Sequence, residues 1–372
     1  MIRLACLLCA LPAGAALGQE TLYRQAGRML LVGTRGDAVR PGEDLERLVC
    51  GIKVGGILLF DTEGDHARTP RNIRSKQQLK RLTADLQSLA RRCGDWPLLI
   101  AADVEGGSVN RMAPVEGLAE LESAASLGKK NPTETFRQAE LIGEAMAETG
   151  VNWDLAPVVD VSLNPRNPVI SMQSRSFSQD HGAVAKHAEA FIRGLRKNGV
   201  LNCLKHFPGH GSSVQDSHRG AVDVSKTADL LLELWPFKEL LRHGLADCVM
   251  TAHVVHSDID PARMATVSPA AVSGFLRQSL GYDGLVLSDD LQMAALREKY
   301  TLEESAVAAV RAGVDMLTLA NSVGDYDTAA AMRVHRALLD AVREGRVRPS
   351  RVKEASRRIL ALKAKLREEA VP

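Results

Sequence analysis

The sequence carries almost no excess charge. Its 47 Lys and Arg residues balance 45 Asp and Glu, for a formal net charge of +2. A chain so balanced lacks the electrostatic signature of a nucleic-acid or polyanion partner. Beyond the first twenty residues it has no apolar run long enough to cross a bilayer, so stable membrane insertion is not expected. There are no low-complexity tracts, internal repeats or linkers that would divide it into several domains. Of the cysteines beyond the first twenty residues, Cys50, Cys93, Cys203 and Cys248, none has zinc-ligand spacing. What remains is 372 residues, 45% hydrophobic and 25% charged, enough for a soluble protein with a sizeable core.

The start of the chain, "MIRLACLLCALPAGAALGQE", is different. Arg3 gives a positive start, residues 4–11 are apolar, and small residues fill 16–18. This pattern predicts a secretory signal peptide over 1–18, with residues 19–372 forming the mature domain in the periplasm or outside the cell. No lipidation site is expected at Cys6 or Cys9, and Cys9 follows Leu8 rather than a small residue. Cys50 and Cys93 both close helix-like segments just before strands, which leaves a bridge between them open. Cys203 and Cys248 lie in apolar runs and read as buried thiols.

Eight short apolar runs recur, at 28–33, 54–60, 97–107, 152–161, 200–207, 247–254, 284–290 and 314–320. Their hydrophobicity is continuous rather than alternating, as parallel strands covered on both faces require. Helical patterns separate them, such as residues 75–93 and 182–199, the latter stopping at Gly199 after basic residues. The alternation predicts an α/β fold, a single-domain (β/α)8 TIM-type barrel, with an open doubly wound sheet as the alternative. A last helix is expected after Pro349, its apolar face formed by Val352, Ala355, Ile359, Leu362 and Leu366.

Catalytic groups of such barrels gather at the C-terminal ends of the strands. Here those ends carry Asp103, Glu105, Arg111, Asp160, Lys205, His206, His253, Asp289 and Asp290. Asp290 reads as the cap of a helix start in "DLQMAALREKY", and Asp160 is open between structure and function. Three histidines fall in one stretch, "KHFPGHGSSVQDSHRG" at 205–220. A metal site is one reading, but Pro208, Gly209 and Gly211 oppose the helix that would align an HxxxH pair. An acid/base device fits better. Asp216 stands two residues before His218, close enough in a loop to orient the imidazole and stabilise its charged form. Gly209, Gly211, Ser212 and Ser213 suit a mobile loop, and His210 has no assigned chemistry.

"KHFPGHGSSVQDSH" and "LSDDLQM", with "DVEGGSVNRM", "APVVDV" and "RSFSQD" in order, resemble the single-domain β-N-acetylglucosaminidase branch of glycoside hydrolase family 3. The resemblance runs from about residue 25 to the last helix. It implies that Asp289 is the nucleophile, His218 the acid/base and Asp216 its partner, with Asp103, Arg111, Arg175, Lys205 and His206 contacting the sugar. No metal and no cofactor are implied. Ser108 stands where the family often has arginine, and Asn110 where it often has glutamine. The expected activity is retaining exo-hydrolysis of terminal N-acetylglucosamine from peptidoglycan fragments or chito-oligosaccharides. Phosphorolysis by the same site and a non-catalytic amino-sugar-binding barrel are the alternatives.

Overall fold

A computed structural model describes residues 22–63, 69–93, 95–322 and 326–368. The predicted signal peptide lies outside the described residues. Five parallel strands form one sheet. They are β1 (Leu30–Gly33), β2 (Gly56–Leu58), β3 (Leu99–Ala102), β6 (Trp153–Asp154) and β12 (Leu317–Leu319), in the order β12-β1-β2-β3-β6. A second parallel sheet holds β7 (Leu204–Phe207), β9 (Cys248–Thr251) and β11 (Leu285–Ser288), in the order β11-β9-β7. Between β3 and β6 the chain makes an antiparallel pair, β4 (Val104–Gly106) with β5 (Val109–Asn110). A short parallel pair, β8 (Val222–Asp223) with β10 (Val254–Val255), completes the strands.

The edges of the two large sheets touch. Trp153 bridges Leu201 and Val158 bridges Lys205 at one seam, and Leu287 bridges Met316 at the other. The arrangement is α/β and TIM-barrel-like. Every residue of β1, β2, β3, β7, β9, β11 and β12 is buried, which is why their sequences are mostly apolar without alternation, Lys205 and His206 in β7 being the charged exceptions. The 152–161 run is shorter as a strand than its composition predicts. Pro157 has no N–H to donate, but backbone bonds continue past Asp154: the Leu155 N–H donates to Ala102, and the carbonyls of Ala156 and Pro157 accept from Cys203 and Lys205.

The helices cover the strands. Lys76–Cys93 buries Leu79, Leu82, Leu86 and Leu89 on one face. Asn131 and Asp180 cap the helices Pro132–Thr149 and His181–Arg196 by accepting backbone N–H groups. The final helix, Pro349–Glu368, buries Val352, Ala355, Ile359 and Leu362 as its periodicity predicts.

Both mature cysteine pairs are joined, Cys50 to Cys93 and Cys203 to Cys248. The second pairing corrects the reading of Cys203 and Cys248 as free buried thiols. Cys203 immediately precedes β7 and Cys248 opens β9, and these strands are hydrogen-bonded neighbours. Burial and reach are compatible there, and apolar context alone does not separate a thiol from a bridge.

Candidate active site

The charged groups expected at the strand ends do converge. Glu105, in β4, is their hub. Arg175 grips it with two hydrogen bonds, Nε to Oε2 at 2.8 Å and Nη2 to Oε1 at 2.7 Å. Lys205, in β7, reaches Glu105 Oε1 and Asp103 Oδ1, each at 2.7 Å. Burial opposes ionisation of Glu105, but the Arg175 and Lys205 cations outweigh it and hold the carboxyl far below the usual range. Arg175 also donates to the Val169 carbonyl at 3.2 Å. Beneath this cluster lies Asp154, which accepts the Val104 N–H at 3.0 Å. Burial pushes its carboxyl well above the usual carboxylate range.

Arg111 follows β5. Its guanidinium lies 3.6 Å from Asp61 and 5.8 Å from the centre of the Phe60 ring, both just past β2. The two departures from the family pattern are structural here. Ser108 donates to the Gln173 carbonyl at 3.3 Å, and Asn110 bonds the backbone of Leu118 and Met112.

A second network surrounds Asp160, and sequence reasoning had left this residue open. Its carboxylate binds His206 Nδ1 at 2.7 Å and the His210 N–H at 2.8 Å. Burial would raise its pKa, but the two imidazoles hold it low. A carboxylate only accepts, so His206 donates from Nδ1 and keeps Nε2 as its remaining polar atom. The His210 ring lies between two hydroxyls, Ser213 at 2.9 Å and Ser217 at 3.0 Å. Burial lowers its pKa to about 4, so it is neutral near pH 7.

These contacts revise the expectation of a mobile loop. Gly209–Ser213 is buried, and Asn164 and Asn167 donate to the carbonyls of Ser213 and His210 at 2.8 and 2.6 Å. Exposure begins at Val214 and Gln215 and returns at His218 and Arg219. His218 Nδ1 lies 2.8 Å from Asp216 Oδ1, and the His218 backbone N–H donates to the same oxygen at 2.9 Å. Burial would raise the Asp216 carboxyl, but these contacts with His218 bring it below its usual value. Asp216 therefore accepts from Nδ1, which leaves Nε2 free to exchange a proton.

Asp289 stands one residue past β11. It accepts the Asp290 N–H at 2.8 Å. Burial opposes its charge, but the imidazoles of His253, His206 and His218 lie near enough to keep its pKa below normal. It is thus an ionised carboxylate facing histidines from three other segments. His253 is itself buried, its nitrogens 2.8 Å from Thr266 Oγ1 and 2.9 Å from the Asp290 carbonyl. Asp290 is structural but does not cap a helix. It accepts N–H groups of Gln292 and Ala320 at 3.1 Å each, while the short helix Ala294–Arg297 begins after Met293 without a side-chain cap.

The sequence does not show the hub role of Glu105, the support from Asp154, Asp160 and His210, or the burial of Glu233, whose Oε1 accepts the Ser212 N–H at 2.9 Å. Glu105 and Asp160 were visible as charges at strand ends. Glu233 gave only one signal, an acidic residue among the apolar positions of "LLLELWPF".

Comparison with known proteins agrees with this geometry. Residues 21–362 match the glycosyl hydrolase family 3 N-terminal domain. Beta-hexosaminidase A of Pseudoalteromonas piscicida is 30% identical over 341 residues, covering 87% of this chain and 55% of that protein. The beta-hexosaminidase of Alkalilimnicola ehrlichii is 35% identical over 301 residues, 78% of this chain and 80% of that one. Among solved structures, a family 3 β-N-acetylglucosaminidase from a Paenibacillus species superposes with a TM-score of 0.84 at 33% identity. That match covers 94% of this chain and 64% of the Paenibacillus chain. The chain thus spans about half of one curated relative and most of another. With its fold, its strand-end charges and the match over residues 21–362 all in agreement, the chain belongs to glycosyl hydrolase family 3.

Proposed function

We propose that this protein is a retaining exo-β-N-acetylglucosaminidase acting on peptidoglycan fragments or chito-oligosaccharides outside the cytoplasm. One observation carries the reading. An ionised carboxylate, Asp289, lies within electrostatic range of His218, whose imidazole is oriented by Asp216. In the first step Asp289 attacks the anomeric carbon, and the bond to the leaving oxygen breaks as protonated His218 gives that oxygen its Nε2 proton. Asp216 stabilises the imidazolium beforehand and fixes the tautomer afterwards. In the second step neutral His218 takes a proton from water, which displaces Asp289 and releases the sugar with retained configuration.

Asp103, Arg111, Lys205 and His206 supply charge-assisted hydrogen bonds to a neutral sugar. Arg175, held by Glu105, braces Lys205 and completes the rim. The hydrogen-bonded seams between the two parallel sheets support a single (β/α)8 barrel with the site at its C-terminal mouth. The two cysteine bridges favour an oxidising compartment, in keeping with the predicted signal peptide.

The first test is Asp289→Ala with an aryl N-acetyl-β-glucosaminide. Turnover should fall by about six orders of magnitude, the scale at which a covalent catalyst loses its nucleophile. Near-normal turnover sinks the assignment. Product analysis with and without inorganic phosphate separates hydrolysis from phosphorolysis, since only the latter yields the sugar 1-phosphate. Tight binding of N-acetylglucosamine with no turnover of chitobiose, muropeptide or aryl substrate would favour the non-catalytic barrel.

A further inference from the structure

Glu233 lies in the first turn of the helix Leu230–Arg242. An acidic residue there ordinarily sits in solvent beside the helix N–H groups. Glu233 instead turns inward and is 1% exposed. Burying a carboxyl is costly, so its contacts must compensate. Its side-chain hydrogen bond goes to the segment that leads to His218, and Oε2 is buried with no hydrogen-bond partner. Oε1 accepts the Ser212 N–H at 2.9 Å. The side chain also fills the space beside Gly209, where a β-carbon would come within 2.6 Å of Glu233 Cβ and 2.9 Å of Cδ. From Ser213 the connection runs through the His210 ring to Ser217, the residue before His218. The Ser217 carbonyl then accepts the Ala295 N–H at 3.3 Å, tying the loop to the segment that follows Asp289.

We propose that Glu233 is a positioning residue for proton transfer: by gripping Ser212 and filling the space under Gly209, it sets where His218 stands relative to Asp289. The proposal rests on the reading of His218 as the acid/base. The electrostatics agree with it. Burial, and then the charge of Asp160 across the loop, push the Glu233 carboxyl up to about 8, with Asp229 at its own helix cap adding to the effect. Near pH 7 it is therefore mostly the neutral acid, which grips the loop without a second negative charge beside Asp160. Asp160 in turn remains free to hold His206 and His210.

The test compares two substrates with each variant. Chitobiose has a poor leaving group and needs the acid. The 2,4-dinitrophenyl N-acetyl-β-glucosaminide leaves without one. Glu233→Ala is expected to lower kcat/KM, which reports the step in which the leaving group departs, about tenfold more on chitobiose than on the dinitrophenyl substrate, a fraction of what a whole general acid contributes. Glu233→Gln, which keeps the acceptor for Ser212, should restore most of that loss. Equal falls on both substrates, or no fall, overturn the proposal. If Glu233→Ala does not fold, Glu233→Leu fills the same space without the acceptor and reads the same ratio. His218→Ala is the control. If it shows no dependence on the leaving group, the acid/base reading itself fails. If it does and the Glu233 variants do not, only the role of Glu233 falls.

Discussion

At the scale of single residues, the site depends on charges that were visible in the sequence and on partners that were not. Asp103, Glu105, Lys205, His206 and Asp289 all mark strand ends, because a polar residue that closes an apolar run stands out. That Arg175 reaches Glu105 across 70 residues is a fact of the folded chain alone. Glu105→Gln tests that link. It leaves Arg175 and Lys205 facing a neutral amide, so stability should fall by about 3–5 kcal/mol, the usual cost of breaking a buried ion pair. The pH dependence has a definite sign. The folded pKa of Glu105 is depressed, so its contribution is full above the unfolded value and is lost as pH falls toward the folded one. Melting curves should show the gap between native protein and variant narrowing as the solution is acidified below about pH 4.5. A gap that stays constant would remove Glu105 from the role of hub.

At the scale of elements, composition marked the 209–219 loop but not how deeply its first half is buried. Glycine and serine suggest freedom, yet each small residue here admits a close neighbour. A β-carbon at Gly211 would overlap the Val161 carbonyl oxygen, although the local backbone suits any residue. Gly211→Ala should therefore push the loop away from the strand-end segment. The expected cost is about 1–3 kcal/mol in stability, as for other forced overpacking, with at least a tenfold loss of kcat. Denaturant melts and turnover on chitobiose measure the two effects, and unchanged turnover would mean that the loop tolerates displacement. The strands were legible for the opposite reason. Burial on both faces writes itself into sequence as an apolar run, whereas strand length depends on details such as Pro157, which has no N–H to give within the 152–161 run.

At the scale of the whole molecule, two covalent links span different parts of the fold. Cys50–Cys93 ties the segments on either side of β2 and the helix after it, and Cys203–Cys248 ties β7 to β9. Their sequence separations, 43 and 45 residues, correspond to about 4 kcal/mol each on loop entropy. Reductant should lower the melting temperature, and the paired Cys203→Ser, Cys248→Ser variant should reproduce part of that fall without reductant. Equal melting with and without reductant would argue against both bridges in solution. The fold class was legible from the order of runs and helices. The pairing of Cys203 with Cys248 was not, because it depends on which strands become neighbours.

The pairing of β1 with β12 bears on how such a chain is made. Leu30 lies beside Leu317, and buried Arg71 donates to the carbonyls of Thr34, Ala320 and Asn321 across the same junction. One edge of the earliest strand therefore has no partner until nearly all of the chain has been synthesised. A ribosome emitting this protein presents an open strand edge throughout, and the native sheet cannot form around it in advance.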